Sequence, residues 1–149
     1  MTDSTTALDL EKISERYFAA WEANDADAIV ALHTEDTQFW SHLGTEPVKG
    51  REAVRATFAE LFERFPEFAF ETYRVLYGPG FWILDWALIF KPEGSEATAR
   101  FDCLDVVNVS PEGLVARKDT FIDMVQLQAV LPQLDVATEA AAVGKEVAA

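Results

Sequence analysis

Apolar residues recur at helical spacing in three segments before Pro66. The first extends from Leu8 to about Asn24, the second is short and can be capped by Asp25, and the third covers residues 51–65. Apolar positions three and four residues apart share one face of a helix, so each segment predicts a helix with one buried side. Because the helical conformation is disfavoured for the residue before a proline, the third helix should end at Pro66.

After Pro66 the apolar positions alternate, as they do in strands. Alternation begins in residues 67–72, and an early strand is also predicted at residues 37–42. Longer strands, separated by turns rich in proline and glycine, are predicted at residues 81–90, 98–109 and 114–124. Helices followed by sequential strands with short connections predict an α+β fold with an antiparallel meander.

The strand FWILDWALIF, residues 81–90, is apolar on both faces. One face should meet the helices. The other face needs a second cover, and the simplest cover is another copy of the chain. We therefore expect a homodimer that forms through the outer face of the sheet.

A length of 149 residues suits one domain, which we expect to cover residues 8–134. Residues 124–134 could form a short closing segment. Residues 1–7 are polar and should be loose, and the Ala-rich tail, residues 135–149, should be a frayed helix or disordered.

The charge balance restricts the partners. The chain has 26 acidic and 12 basic residues, a net charge of −14, which repels phosphate backbones and anionic lipid surfaces. We therefore expect neither nucleic acid nor a membrane as partner. The start of the chain lacks the pattern of a signal peptide, so a cytoplasmic location is the default expectation.

No cofactor or metal is predicted. The one cysteine, Cys103, lies in an apolar run and should be a buried, inert side chain. The chain has no Gly-rich phosphate loop, and its two histidines, His33 and His42, are too few and too separated to suggest a metal site. His33 itself is interpreted as the end of the second helix, with a place at the rim of a pocket as the alternative.

Two stretches resemble a known superfamily. They are ERYFAAWEANDADAIVALHTEDTQFWSHLGTEPVKGREAV in the first half and FDCLDVVNVSPEGLVARKDTFID in the second. Both are similar to ketosteroid isomerases and to the wider group resembling nuclear transport factor 2, which includes SnoaL-like polyketide cyclases. The likeness covers about residues 8–128. It implies three N-terminal helices packed on a curved antiparallel sheet, a cone-shaped, cystatin-like half-barrel with an apolar pocket.

The resemblance also implies two hydrogen-bond donors. Tyr17 stands where the isomerases carry a tyrosine that donates to an oxyanion, and Asp105 stands where they carry an aspartic acid kept protonated by apolar neighbours. The isomerase pair is a known example of an acid held neutral so that it can donate. The alternatives are a core tyrosine bonded to a backbone carbonyl and an aspartate that points to solvent.

The position of the isomerase base holds Ser41 instead of aspartate. An unassisted serine cannot take a proton from carbon near neutral pH. The neighbouring His42 could replace the base if it turns inward, although a surface or interface histidine is the alternative. Asp85, in the middle of an apolar strand, is the other candidate, and its alternative is a salt bridge with Arg74 or Arg100.

Other residues complete the expected site. The predicted pocket lining is apolar and consists of Trp21, Phe39, Phe58, Phe62, Val107 and either Trp82 or Ile83. Arg117 and Lys118 are expected to point outward, and Asp123 is expected to hold structure.

Two functions remain open at this point. One is an enzyme that performs cofactor-free acid/base chemistry, such as isomerisation, cyclisation or dehydration, on a small hydrophobic substrate. The other is a module of the same fold that binds a hydrophobic ligand or assembles into a dimer without catalysis.

Overall fold

The computed structural model describes residues 8–132. The helices are α1 (Leu10–Glu22), α2 (Ala26–Val30) and α3 (Arg51–Arg64), and residues 124–132 are also helical, which we call α4. The strands are β1 (His33–Ser41), β2 (Val48–Lys49), β3 (Ala69–Gly78), β4 (Phe81–Phe90), β5 (Ala99–Val109) and β6 (Val115–Ile122). The predicted loose N-terminus and Ala-rich tail lie outside the described residues.

Local signals explain where the helices begin and end. The Asp9 carboxylate caps α1 by accepting from the backbone N–H of Lys12, and Asp25 caps α2 as predicted, accepting from the N–H of Ala28. Phe65, the residue before Pro66, is extended, with φ −111° and ψ 97°, so α3 ends where the proline requires it. Asp123 caps α4, which confirms its structural role.

The six strands form one mixed sheet in the order β2-β1-β6-β5-β4-β3. The meander from β3 to β6 is antiparallel, as predicted, but β1 lies parallel to β6. The α+β fold is therefore confirmed, with one parallel pair that the sequence did not indicate. After β2 the chain passes through α3 to the far edge of the sheet, where β3 lies. The meander from β3 to β6 then leads back across the sheet and places β6 beside β1.

The sheet has two unlike faces because side chains alternate along each strand. The inner face packs against the helices, and its β4 side chains include Trp82, Leu84 and Trp86. A layer of aromatic contacts joins the sheet to α1 and α3, with Phe58 packed edge-on against Trp21 and Phe39. Among residues 8–132, no helix is long and apolar enough to span a bilayer.

Candidate functional site

A cavity of about 270 Å³ lies between the inner face of the sheet and helices α1 and α3. Its wall is mainly aromatic and aliphatic, and it includes the predicted residues Trp21, Phe39 and Trp82. Such a concave, largely apolar space with a few convergent polar groups is typical of a small-molecule site.

Three predicted lining residues lie elsewhere, and of the alternatives Trp82 and Ile83 it is Trp82 that lines the cavity. Phe58, Phe62 and Val107 pack in the layer behind the cavity wall, and Phe62 touches the wall through Trp21, with ring centroids 5.4 Å apart. Ile83 lies on the outer face because it alternates with the inward Trp82 and Leu84. The helical stripe predicted burial correctly for Phe58, but burial alone does not distinguish a wall from the layer behind it.

A buried ion pair forms the polar end of the cavity. The Nζ atom of Lys118 lies 2.8 Å from Oδ2 of Asp105, and Oγ1 of Thr120 donates to Oδ1 of Asp105 at 2.8 Å. The side chains of Lys118 and Asp105 are only 6% and 1% exposed. All three residues line the cavity.

The expectation that Lys118 points outward is therefore wrong. In β6 the side chain of Lys118 shares a face with Thr120, whereas Arg117 lies on the opposite face and pairs with Asp119. The expected neutral Asp105 is also replaced by an ion pair. Asp105 accepts hydrogen bonds from the Lys118 ammonium and from the Thr120 hydroxyl, and a hydrogen bond between an ammonium and a carboxyl oxygen is charge-assisted.

Aromatic rings surround the ammonium of Lys118. The Nζ atom lies 4.7 Å from the Trp21 ring centroid and 5.3 Å from the Tyr17 ring centroid. Burial is the largest single influence and disfavours the charge, but Asp105, with smaller contributions from Tyr17 and Cys103, outweighs burial in sum, so the pKa of Lys118 is raised. Within residues 8–132, Asp105 is the one hydrogen-bond acceptor of this ammonium, which has three donors.

Tyr17 lies at the same end of the cavity and belongs to a chain of buried hydrogen bonds. Its Oη atom is 2.9 Å from Nε2 of His33, and Nδ1 of His33 is 2.9 Å from Oγ1 of Thr37. Burial raises the pKa of the Tyr17 phenol, although nearby Lys118 opposes this. The polar neighbour of Tyr17 is thus a histidine ring and not the backbone carbonyl considered from the sequence.

His33 is the first residue of β1 and is fully buried, so its interpretation as the end of a helix was wrong. Burial, reinforced by the positive charges of Lys118 and Arg51, lowers the pKa of His33 to about 3. The ring is therefore neutral at physiological pH. The helical pattern that ends at Leu32 concealed this residue, and nothing in the sequence pointed to Thr37 as its partner.

Ser41 lines the cavity, as the resemblance implied. It is in register with Thr120, which in turn is in register with Asp105, so the three side chains form a row across the inner face. The hydroxyl of Ser41 thus lies on the same face as the ion pair.

His42 and Asp85 both lie on the outer face of the sheet, away from the cavity. His42 stacks between Trp40 and Phe121, with ring centroids 4.2 and 4.0 Å away, and its Nε2 atom is 3.1 Å from Oδ1 of Asp119. Strand alternation continues through Ser41, so His42 cannot turn inward. The proposed role of His42 as an inward base is therefore wrong.

Asp85 forms the salt bridge that the sequence offered as its alternative. Its Oδ2 atom lies 3.0 Å from Nε of Arg74, the residue beside it on β3. This surface pair accounts for a charge in the middle of an apolar strand. Asp85 is thus not a pocket acid or base.

Two charged residues that the sequence did not single out stand in the cavity wall. Glu60 and Arg64 are four residues apart on α3 and line the cavity together with Thr57. On α3 they lie beside the buried stripe that includes Val54 and Phe58. They add polar groups to a space whose other walls are largely apolar.

Residues 14–118 match the family described as the SnoaL-like domain. The chain belongs to this family. A solved structure that is similar to this chain is titled "Intriguing role of epoxide hydrolase/cyclase-like enzyme SalBIII in pyran ring formation in polyether salinomycin". The two chains share 22% identity with a TM-score of 0.69, and the alignment covers 85% of this chain and 97% of that chain. No curated protein sequence matches this chain.

The SalBIII likeness, at this identity, supports the fold of this SnoaL-like chain and no particular chemistry. The match to the family ends at Lys118, the residue that carries the buried positive charge. The function of this SnoaL-like domain must therefore be inferred from its own cavity residues.

The neutral, buried His33 should make the protein sensitive to acid. In the unfolded state the histidine has a pKa near 6.5, whereas in the folded state the pKa of His33 is about 3. Between these two values only the unfolded state binds the proton, so the free energy of unfolding falls as the pH drops from about 6.5 to about 3. Between pH 7 and pH 5 we expect His33 to contribute a loss of about 2 kcal/mol in the free energy of unfolding.

Urea unfolding of the wild type and of His33→Gln at both pH values measures this loss. The variant should lose about 2 kcal/mol less than the wild type over the interval. The matched variant His42→Gln, at the other histidine of the chain, should retain the loss. Equal acid sensitivity of the wild type and His33→Gln would contradict the assignment.

Proposed function

We propose that this SnoaL-like protein is a cofactor-free enzyme that moves a proton on a small, mainly apolar substrate that bears an oxygen atom. Lys118 binds the oxygen on which negative charge develops, and Asp105 accepts and returns the proton. The observation that carries this proposal is the buried Lys118–Asp105 ion pair at the polar end of an apolar cavity.

A buried ion pair is costly to maintain. Both charges lose their hydration, and well-packed apolar residues of similar size often replace such a pair with no loss of stability. The pair is therefore a weak device for stability alone. At the end of a cavity, however, it supplies a positive group in a medium of low dielectric constant, where stabilisation of a developing oxyanion is strong.

The bonding of the ion pair leaves capacity for a substrate. Each Asp105 oxygen accepts one hydrogen bond, from Lys118 or from Thr120, and a carboxylate oxygen can accept a second. The ammonium has donors beyond the one that Asp105 uses. A substrate oxygen against Lys118 would thus bring a neighbouring C–H or O–H group close to Asp105, the geometry that proton transfer needs.

A ligand-binding module without catalysis is the second candidate. It is favoured by the location of His42 and Asp85 on the outer face, which removes both bases that the sequence suggested. If Asp105 serves only to neutralise Lys118, the cavity would hold a hydrophobic ligand and leave it unchanged.

The elimination of 5-nitrobenzisoxazole separates these two candidates. A base removes the ring C–H proton while the N–O bond breaks to a phenolate, so a positioned carboxylate and an oxyanion donor should each accelerate the reaction. We expect saturable turnover that Asp105→Asn lowers by about 100-fold, because a positioned base contributes about 10²–10⁴ in rate. The controls His42→Gln and Asp85→Asn should remain within about twofold of wild type.

A single substitution at either member of the ion pair, Asp105→Asn included, leaves a lone buried charge, so a double variant completes the test. The pair Asp105→Leu with Lys118→Met removes both charges and should fold, whereas Lys118→Met alone should be destabilised by about 3–5 kcal/mol. On binding to the double variant, the probe should still quench the tryptophan fluorescence, since Trp21, Trp82 and Trp86 line the cavity, but the variant should show no turnover. Binding by the wild type without turnover above that of free acetate would favour the ligand-binding module.

We also propose that two copies pair through the outer face of the sheet. The exposed apolar residues Tyr73, Leu76 and Phe121 lie on this face, between 43% and 46% exposed, beside the half-buried Ile83 and Val106. These residues form an apolar patch beside the ion pairs Arg74–Asp85 and Arg117–Asp119, and an exposed apolar patch rimmed by polar residues is typical of a protein–protein contact. A symmetric pair would bring the same patch from each copy together.

Light scattering after size exclusion tests the pairing. The wild type should have twice the mass of one chain at micromolar concentration, and Val106→Glu should have the mass of one chain, because two carboxylates would meet in an apolar contact. Ala56→Glu, on the exposed side of α3, should retain the mass of the wild type. A wild type with the mass of a single chain would contradict the pairing.

A further inference from the structure

The hydrogen bonds from Tyr17 through His33 to Thr37 run in one direction. We propose that His33 is a positioning residue that holds the Tyr17 hydroxyl as a donor away from the cavity, so that Tyr17 offers its oxygen to a ligand as an acceptor. The cavity then favours a ligand that carries a hydroxyl group. This inference concerns the ligand of the same cavity and in that respect rests on the proposed function.

The direction of these hydrogen bonds follows from the last acceptor in the series, the backbone carbonyl of Val115. Oγ1 of Thr37 lies 3.3 Å from the carbonyl oxygen of Val115, and a carbonyl can only accept, so Thr37 donates its one proton there. The same oxygen must then accept from Nδ1 of His33. A neutral imidazole has one N–H, so Nε2 of His33 is an acceptor and the bond from Tyr17 uses the phenol proton.

The surroundings support the same direction. Lys118 and Arg51 both disfavour a charged His33, which keeps the ring in the neutral form that the argument requires. The Lys118 ammonium also lies over the Tyr17 ring, 5.3 Å from its centroid, and both residues line the cavity. A lone pair of the phenol oxygen is stabilised near this cation, whereas a phenol proton directed at it would be repelled.

The polar end of the cavity therefore combines a donor and an acceptor. Lys118 can donate to a ketone, an enolate or an ether oxygen, and Tyr17 can accept from a hydroxyl. A ligand with an alcohol, phenol or enol O–H matches both groups. An ether of the same shape matches Lys118 but leaves the Tyr17 oxygen without a donor, which costs affinity when the site is buried.

Nitrogen-15 NMR of the full chain with labelled histidine tests the tautomer without any ligand or turnover. We expect the His33 signals to show protonated Nδ1 and unprotonated Nε2 at pH 7. Thr37→Val removes the acceptor for Nδ1–H and should shift the ring towards the other tautomer, and Thr37→Ser should restore the wild-type signals. An Nε2–H tautomer or an imidazolium in the wild type would overturn the proposal.

A pair of matched probes tests the consequence for ligands. The wild type should bind 2-naphthol more tightly than 2-methoxynaphthalene, and Tyr17→Phe should reduce this preference by about fivefold, the usual contribution of one hydrogen bond. If Tyr17 were a donor, the variant would weaken both probes alike and leave the preference unchanged, which would also overturn the proposal.

The two arms distinguish this inference from the proposed function. If the wild type shows no turnover but has the Nδ1–H tautomer and prefers 2-naphthol, the result would contradict the proposed enzyme and support the role of His33. The reverse result, with turnover present and the Nε2–H tautomer observed, would contradict the role of His33 alone. The NMR arm decides the matter if neither naphthalene probe binds, because it requires no ligand.

Discussion

The ion pair between Lys118 and Asp105 is the interaction on which the rest of the site depends. Both residues lie on the inner face of neighbouring antiparallel strands, where almost every other side chain is apolar. Neither charge could be buried there alone, because an isolated charge in such a medium costs several kcal/mol. Each charge therefore requires the other, and the β5–β6 register brings them within hydrogen-bond distance.

The surrounding residues fit this charge pair. Trp21 and Tyr17 cover the ammonium with their rings, and Thr120 completes the bonds of the carboxylate. The positive charge in turn helps to keep His33 neutral, which links the first strand to the same electrostatic centre. Helix α1, strand β1 and strands β5 and β6 are thus joined by one set of polar contacts inside an apolar shell.

Much of the fold could be predicted from the sequence. Helical spacing before Pro66 and alternation after it are local properties, so they located the helices, and the resemblance supplied the cone and its pocket. The site could be predicted only in part. Tyr17, Ser41 and Asp105 do line the cavity, but the partner of Asp105 depends on the β5–β6 register, which no local pattern contains. A charged pair such as Arg117-Lys118 is also typical of a solvated strand, and nothing local shows which of the two turns inward.

The protonation state of Lys118 is the most direct test of this account. Nitrogen-15 NMR of the lysine side chains, recorded on the full chain as the pH is raised, reports whether Nζ of Lys118 is an ammonium. We expect its ammonium signal to persist after those of the exposed lysines have been lost, since Asp105 raises the pKa of Lys118, and to be lost earlier in Asp105→Asn. A neutral Lys118 amine in the wild type at pH 7 would contradict the ion pair and the function built on it.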